Sequence, residues 1–434
     1  MNHNNINAMK AQNIYKLLNR LLPVVLVLTV VLFSENVLAE EKAEAYVEYK
    51  GVVLDKSTGN ALAFANISVL GTNISTVSNT NGEFVLKIPV SKKTHKILFR
   101  YVGYRNMVII PDENPLAYYK IELDPVSVEL PEVSVISKDA DMIMTAVFER
   151  ITKNYPGSEM SMTAFYRETI RKNRNYVSVA EAVVDVYKQP YPSYKTDVVK
   201  LYKSRKKTDY ERLDTLVFKL MGGPFNSLYV DVVKYPEMIF TDKMFENYNF
   251  SFDRSTRLDD RLIYVINFQQ VASVDLPLFY GKLYIDAQTM AIKSAVFDMN
   301  LKNKAEASKI FIVKKPFNAN VIPEKASYRM DFFEQNGKWY YGYSRIELDL
   351  RIKWKRKIFD TKYLSVIEMA VTDWEDADGI KAPERSGRLR PGVIIADEAS
   401  GFSDPEFWGE FNVIEPEKPI ETAIKKISKQ LEKK

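Results

Sequence analysis

From Tyr46 onward the chain alternates short apolar runs with turn-forming clusters. Ala45 to Leu54, Ala65 to Leu70, Ile74 to Ser78, Glu83 to Ile88, Lys96 to Arg100, Asn106 to Ile110 and Tyr118 to Leu123 read as strands, about seven of them. Asp55-Lys56-Ser57-Thr58-Gly59 supplies a turn. Asn79-Thr80-Asn81-Gly82 gives the strongest hairpin signal, because Asn-Gly tolerates the positive φ of tight turns. Count and spacing predict an N-terminal seven-stranded β-sandwich.

The period then changes. Asp124 to Asp139, with Pro125 and Pro131, reads as a linker or bridging strand. Ala140 to Tyr155 places Ile143, Val147 and Ile151 on one helical face and stops at Asn154-Tyr155-Pro156-Gly157. Strands return at Ser161 to Arg171, Tyr176 to Tyr187, Leu262 to Phe268, Lys282 to Ile285, Ala291 to Met299, Ala326 to Glu334, Lys338 to Leu350 and Lys362 to Asp373. Their turns hold Lys172-Asn173, Asp286-Ala287, Asn336-Gly337 and Glu375 to Gly379, a pattern of one large, mainly antiparallel sheet. Met221-Gly222-Gly223-Pro224-Phe225 reads as a mobile loop at the sheet rim. It lacks the lysine and the strand-to-helix setting of a phosphate loop. In the tail, Ile420, Ala423, Ile424, Ile427 and Leu431 have helical spacing with lysines opposite, which fits a terminal helix docked on the sheet or one lying on a membrane surface.

The front end bears on compartment. Lys10, Lys16 and Arg20 precede the apolar run Leu21 to Phe33, and Val37-Leu38-Ala39 is a small-residue cleavage site before Glu40. This is the pattern of a secretory signal peptide. The expected organisation is therefore a signal peptide over 1–39, a β-sandwich over 40–125, a linker over 126–139, a β-rich region over 140–415 and a C-terminal helix over 416–434. The chain has no cysteine, which removes disulfides, thiolate nucleophiles, Cys-ligated zinc and a lipid-modified cysteine. Burial must hold the fold, and with 434 residues, 46% of them hydrophobic, there is material for two cores. The net charge of +5 is spread along the chain and gives no nucleic-acid footprint.

Gly51-Val52-Val53-Leu54-Asp55, Gly59 to Ile67, Thr80-Asn81-Gly82-Glu83-Phe84 and Phe99-Arg100-Tyr101-Val102-Gly103-Tyr104 resemble the carboxypeptidase regulatory-like domain of envelope proteins from Bacteroidetes-type bacteria. The resemblance implies a transthyretin-like (prealbumin-like) sandwich. Leu130 to Ile136 resembles the connector to a TonB-dependent transporter found in some members, but no plug or barrel-length tail follows. Met162 to Glu168 and Phe407 to Pro416 resemble uncharacterised envelope proteins that share the front domain. By analogy with outer-membrane lipoprotein carriers, the large sheet is expected to be a curved open sheet or half-barrel.

Catalytic zinc of the carboxypeptidase kind needs two histidines and a carboxylate. Only His3 and His95 exist, and His3 lies in the signal peptide, so zinc carboxypeptidase activity is not expected. His95 has only lysines and a threonine beside it. Carboxylate chemistry survives: Glu168, Glu181, Asp185, Asp259, Asp260 and Asp373 could supply a glycosidase pair, and Glu181 and Asp185 share one strand face. Asp376-Ala377-Asp378-Gly379 has the look of a calcium loop, but Gly387 stands where the closing glutamate belongs, so it reads as a turn. Aromatic clusters are the candidate ligand contacts: Trp339, Tyr341 and Tyr343, which alternation puts on one face with Tyr340 on the other, and Trp408.

These features predict a mainly β, exported protein of the periplasm or outer membrane, with no catalytic, cofactor-binding or metal-binding residue expected. It would bind a lipid or glycan, or serve an envelope or outer-membrane protein partner as an assembly or transport accessory, with peripheral membrane association. The competing expectation is a carboxylate-dependent hydrolase acting on polysaccharide or peptidoglycan.

Overall fold

A computed structural model describes residues 45–92, 96–112, 117–126, 137–209, 222–240, 243–258, 261–311, 318–355, 358–377, 382–401 and 407–431. The expected signal peptide, His95, Asp259, Asp260, Asp378, Gly379 and most of the expected linker lie outside them.

The front seven strands are β1 (Tyr46–Asp55), β2 (Asn66–Val69), β3 (Ser75–Val77), β4 (Glu83–Pro89), β5 (Ile97–Arg100), β6 (Met107–Ile109) and β7 (Tyr118–Leu123). They form two sheets, β4-β1-β7 and β3-β2-β5-β6. Alternating positions of both sheets, among them Val53, Ile67, Phe84, Leu86, Phe99 and Ile121, close one apolar core. The turn after β1 forms as expected. Asp55 Oδ1 accepts from the Ser57 and Thr58 amides at 2.7 and 3.1 Å, and Tyr104 donates to its other oxygen at 2.7 Å. The Ser57 hydroxyl, which donates to Asp55 Oδ1 at 2.6 Å, does most to hold the carboxyl below its ordinary value, with Tyr104 and the two amides adding to it.

Asn79 to Gly82 makes its turn, but not the expected hairpin: β3 and β4, which it joins, belong to different sheets. The reason lies in Gly82. It has φ 76°, its carbonyl accepts from the Val53 amide at 2.8 Å, and a Cβ there would stand 2.5 Å from the Val53 carbonyl oxygen. The turn is pinned to β1 and carries the chain across the sandwich.

A third, larger sheet has twelve strands. They are β8 (Met160–Lys172), β9 (Asn175–Lys188), β10 (Val198–Thr208), β11 (Tyr248–Phe252), β12 (Thr256–Leu258), β13 (Arg261–Gln270), β14 (Phe279–Asp286), β15 (Ile292–Met299), β16 (Ala319–Gln335), β17 (Lys338–Trp354), β18 (Thr361–Asp376) and β19 (Ser400–Gly401). The order is β11-β13-β14-β15-β16-β17-β18-β8-β9-β10-β19, with β12 on β13, so the sheet stays open and is not closed into a barrel. Pairing is antiparallel except for β10 with β19. Asn336 and Gly337, at φ 51° and 76°, form the tight turn between β16 and β17, as their sequence predicts.

One sheet face packs on helices. Ala140, Met144 and Val147 of Ser137–Glu149, Phe225 and Leu228 of Pro224–Tyr229, and Ile395 join the main core. This corrects the reading of Met221 to Phe225 as a rim loop. Gly222 and Gly223, at positive φ, turn the chain into a helix with Pro224 in its first turn, and Phe225 is buried. Among the described residues no helix is long and apolar enough to cross a membrane.

Candidate functional site

The opposite face of the sheet meets the front sandwich and the tail segment 407–417. Val77 of β3, Phe165, Val183, Tyr343 and Ala370 of the sheet, and Trp408, Val413 and Ile414 of the tail form one apolar cluster. Phe64 drives in from the sandwich side. Its ring stacks on Tyr343 at 5.3 Å and lies between the guanidiniums of Arg329 and Arg345, at 5.4 and 5.3 Å. Phe64 holds φ 65°, an uncommon backbone state for a bulky residue, kept by its neighbours on both sides.

Buried charge reinforces the contact. Arg167 Nε donates to Glu181 at 2.7 Å, and a second Arg167 nitrogen donates to the Ile414 carbonyl at 2.7 Å. Arg205 binds the other Glu181 oxygen at 2.8 Å and lies 4.8 Å from the Trp408 ring centroid. Burial works against the Glu181 charge, but Arg167 and Arg205 outweigh it and hold the carboxyl below its ordinary value. Glu181 is thereby committed to two guanidiniums.

The expected aromatic contacts sit inside this architecture. Trp339, Tyr341, Tyr343 and Trp408 are all buried. Alternation fails between Tyr341 and Tyr343. Tyr341 pairs with Phe332 and Tyr343 with Asp331, so Gly342 is a bulge; Tyr341 points into the main core and Tyr343 into the seam. Glycine fits there because a Cβ would lie 2.7 Å from the Phe333 ring. Trp339 and Tyr343 line a seam cavity of about 40 Å³, room for a few waters rather than for a lipid or an oligosaccharide.

A larger space opens nearby. Gly71, Thr72, Asn73 and Lys92 of the sandwich and Ser161, Thr163, Asp373, Trp374 and Glu375 of the sheet line a groove of about 500 Å³. Its two walls are bonded to each other. Ser75 Oγ donates to the Val371 carbonyl at 3.1 Å, Gln335 donates to Asn73 Oδ1 at 2.9 Å, and the Asn73 amide donates to the Trp374 carbonyl. Trp374 stacks on Tyr340 with centroids 4.0 Å apart, and its buried indole N–H has no hydrogen-bond partner among the described residues. Asp373 keeps one side open to solvent while the groove walls crowd it. Burial pushes its carboxyl up, against the Trp374 amide that bonds it at 2.8 Å.

The register also arranges the acids. Thr163 of β8 pairs with Asp373 on one side and Asp185 on the other, so both acids share its face with Cα atoms roughly 10 Å apart, two strand spacings. Burial raises Asp185 as well, partly offset by Lys200. Glu181 and Asp185 share a face, as expected, but Glu168 is on the other: Arg167 is the residue that pairs with Glu181. Glu168 faces Ala396 and is pushed by burial to about 7, against the hydrogen bond that Tyr166 donates at 2.8 Å.

A further charged cluster, not anticipated from sequence, lies within the main core. Lys188 donates to Asp197 and Asp231, each at 2.9 Å, while Tyr191 and Tyr235 donate to the same two carboxylates. Burial opposes the Lys188 charge, but Asp197 and Asp231 outweigh it and raise the amine above its ordinary value. Asp231 also accepts from the Val233 and Lys234 amides, and Asp197 from the Gln189 amide. Each charge in the cluster is engaged, which is the arrangement of a structural network.

No curated protein matches the chain. Solved structures with some likeness include a domain assigned to outer membrane lipoprotein sorting from Vibrio parahaemolyticus, 8% identical over 57% of this chain and 95% of that one, with a TM-score of 0.26. A LolA superfamily protein from Nitrosomonas europaea is 12% identical over 57% and 96%, with a TM-score of 0.20. A DUF1329 family protein from Desulfovibrio piger is 10% identical over 57% and 96%, with a TM-score of 0.24. Likeness at this level says nothing of ligand or activity. Residues 49–135 match the family model of the CarboxypepD_reg-like domain, so the chain carries a domain of that kind at its front.

Proposed function

We propose that this is an exported, non-catalytic envelope protein that binds a glycan in the groove between the front sandwich and the large sheet. The observation that carries the reading is the groove itself, with walls from both sheets and a mixed polar lining. Sugar hydroxyls both donate and accept. Asp373 and Glu375 offer acceptors, Lys92 a donor, and Ser161 and Thr163 both. Binding is tested by calorimetry of soluble glycan fragments from the cell envelope against the protein and its Asp373→Asn variant. The reading expects binding that the substitution weakens about tenfold, in line with the loss of a charge-assisted hydrogen bond. Absence of binding, or equal binding by both proteins, contradicts it.

A second reading, hydrolysis, draws on one observation: Asp185 and Asp373 flank Thr163 on one face, both raised by burial. An inverting pair needs its two carboxyl groups about 6.5–9.5 Å apart, and Cα atoms two strand spacings apart leave the side chains room to converge on that distance. Cleavage of the same fragments by the protein, lost in Asp185→Asn and in Asp373→Asn, favours this reading. Binding without cleavage sinks it.

A further inference from the structure

The far end of the large sheet carries a feature that the groove does not use. In the β17–β18 connection, Ile358 and Phe359 are 93% and 82% exposed. Single exposed apolar residues are ordinary on protein surfaces. Two large ones in sequence in a hairpin connection, where burial was available a few residues away, call for an occupant.

The charge around them says which. Lys353 and Lys355 lead into the connection and Lys362 leaves it, all exposed. The neighbouring β8–β9 turn lies alongside: the Asn173 amide donates to the Lys362 carbonyl at 2.7 Å, and the Lys362 amide donates to Asn173 Oδ1 at 3.1 Å. That turn brings Lys172 and the exposed Arg174 to the same end. Among the described residues the acids there are Glu324, Asp349 and Asp360: Glu324 bonds Arg351 at 2.5 Å and lies 4.0 Å from the Lys362 amine, Asp360 bonds Arg351 at 3.1 Å, and Asp349 is half-buried beside Glu324. Cations therefore outnumber carboxylates around an apolar tip. This is the composition of surfaces that insert apolar side chains at a lipid interface while lysines and arginines meet anionic headgroups.

We propose that this end of the sheet docks on an anionic lipid bilayer, with Ile358 and Phe359 entering the interface and the surrounding cations contacting lipid phosphates. Lys172 lies nine positions along β8 from Thr163, which at strand rise places the groove roughly 30 Å from the membrane contact. The docked protein would hold the groove away from the bilayer, and docking does not depend on what the groove binds.

The test is co-sedimentation with vesicles of phosphatidylcholine alone and of phosphatidylcholine with about one third phosphatidylglycerol, a composition chosen for its surface potential. The chain used begins at Glu40 and so retains the whole compact unit Tyr46–Lys434. The proposal expects sedimentation with the anionic vesicles only. It expects loss of about tenfold or more in Ile358→Ser/Phe359→Ser and in Lys353→Glu/Lys355→Glu, and release at high salt. Because the substituted side chains are at the surface, both variants should keep the parent's thermal midpoint. Failure of the parent to bind anionic vesicles overturns the proposal. So does unchanged binding by either variant, or a change of oligomeric state in place of vesicle binding, which would mean that the tip meets protein.

Discussion

The side-chain amide of Asn412 bonds both backbone groups of Lys87: its oxygen accepts from the Lys87 N–H at 2.7 Å, and its nitrogen donates to the Lys87 carbonyl at 3.0 Å. Lys87 lies on β4 of the front sandwich, and Asn412 is separated from it by most of the chain. One tail residue thus stands in for a neighbouring strand at the β4 edge. Around it Thr76 donates to the Val413 carbonyl at 3.3 Å, Asn79 to the Glu415 carbonyl at 3.2 Å and Thr80 to Glu417 at 2.8 Å. The tail straps the sandwich to the sheet and so fixes the groove walls.

Asn412→Ala leaves the Lys87 N–H and carbonyl buried without these partners. It should destabilise the protein by about 1–3 kcal/mol, the cost of stranding buried polar groups. Urea denaturation measures this, and an unchanged midpoint would mean that the strap does not hold the sandwich.

Phe64 couples packing to backbone strain. Phe64→Ala removes the stack on Tyr343 and the two guanidinium contacts and should cost about 2 kcal/mol. Phe64→Gly loses the same ring but suits φ 65°, so it should be less destabilised than the alanine variant by about 1 kcal/mol. Thermal melts of the pair check the order.

Lys188→Met leaves Asp197 and Asp231 buried without their shared cation. A loss of about 3–5 kcal/mol is expected. Equilibrium unfolding of the variant measures it, and a loss below about 1 kcal/mol would show that the tyrosine and amide donors suffice.

Glu168 gives a pH dependence with a definite sign. Its folded value of about 7 lies above the ordinary 4.5, so the folded state holds a proton that the unfolded chain releases. The stability it contributes is full below about pH 4.5 and is lost as pH rises through 7, by roughly 3 kcal/mol in total. Glu168→Gln, which cannot ionise, should remove this slope. The variant should melt above the parent at pH 8, with the difference shrinking toward pH 5; a constant difference would place the titration elsewhere.

The strand pattern was legible where side-chain chemistry and backbone demand coincide. Each front strand answers to a run in the sequence, and Asn336-Gly337 announces its turn because few other residues take two successive positive φ values. β10 was missed, since its run of Lys200, Lys203, Lys206 and Lys207 with Arg205 hides the apolar alternation. Short β11 and β12 carry too few residues to show a period. The site was less legible. Periodicity alone puts Tyr341 and Tyr343 together, and only the partner strand reveals the bulge at Gly342 that separates them. Asp373 was a candidate acid, but its placement across Thr163 from Asp185 depends on two registers that no single strand encodes. The strap was invisible for the same reason: nothing near Asn412 in sequence says that its partner is Lys87.

Hydrogen–deuterium exchange in the presence of soluble envelope glycan fragments tests the central claim most directly, because the groove is built by two segments far apart in sequence. The account predicts that the fragments slow exchange in peptides covering Gly71 to Asn73 and in peptides covering Asp373 to Glu375 together, with both effects lost in Asp373→Asn. Unchanged exchange in both segments, or slowing that leaves them untouched and appears elsewhere, would contradict it.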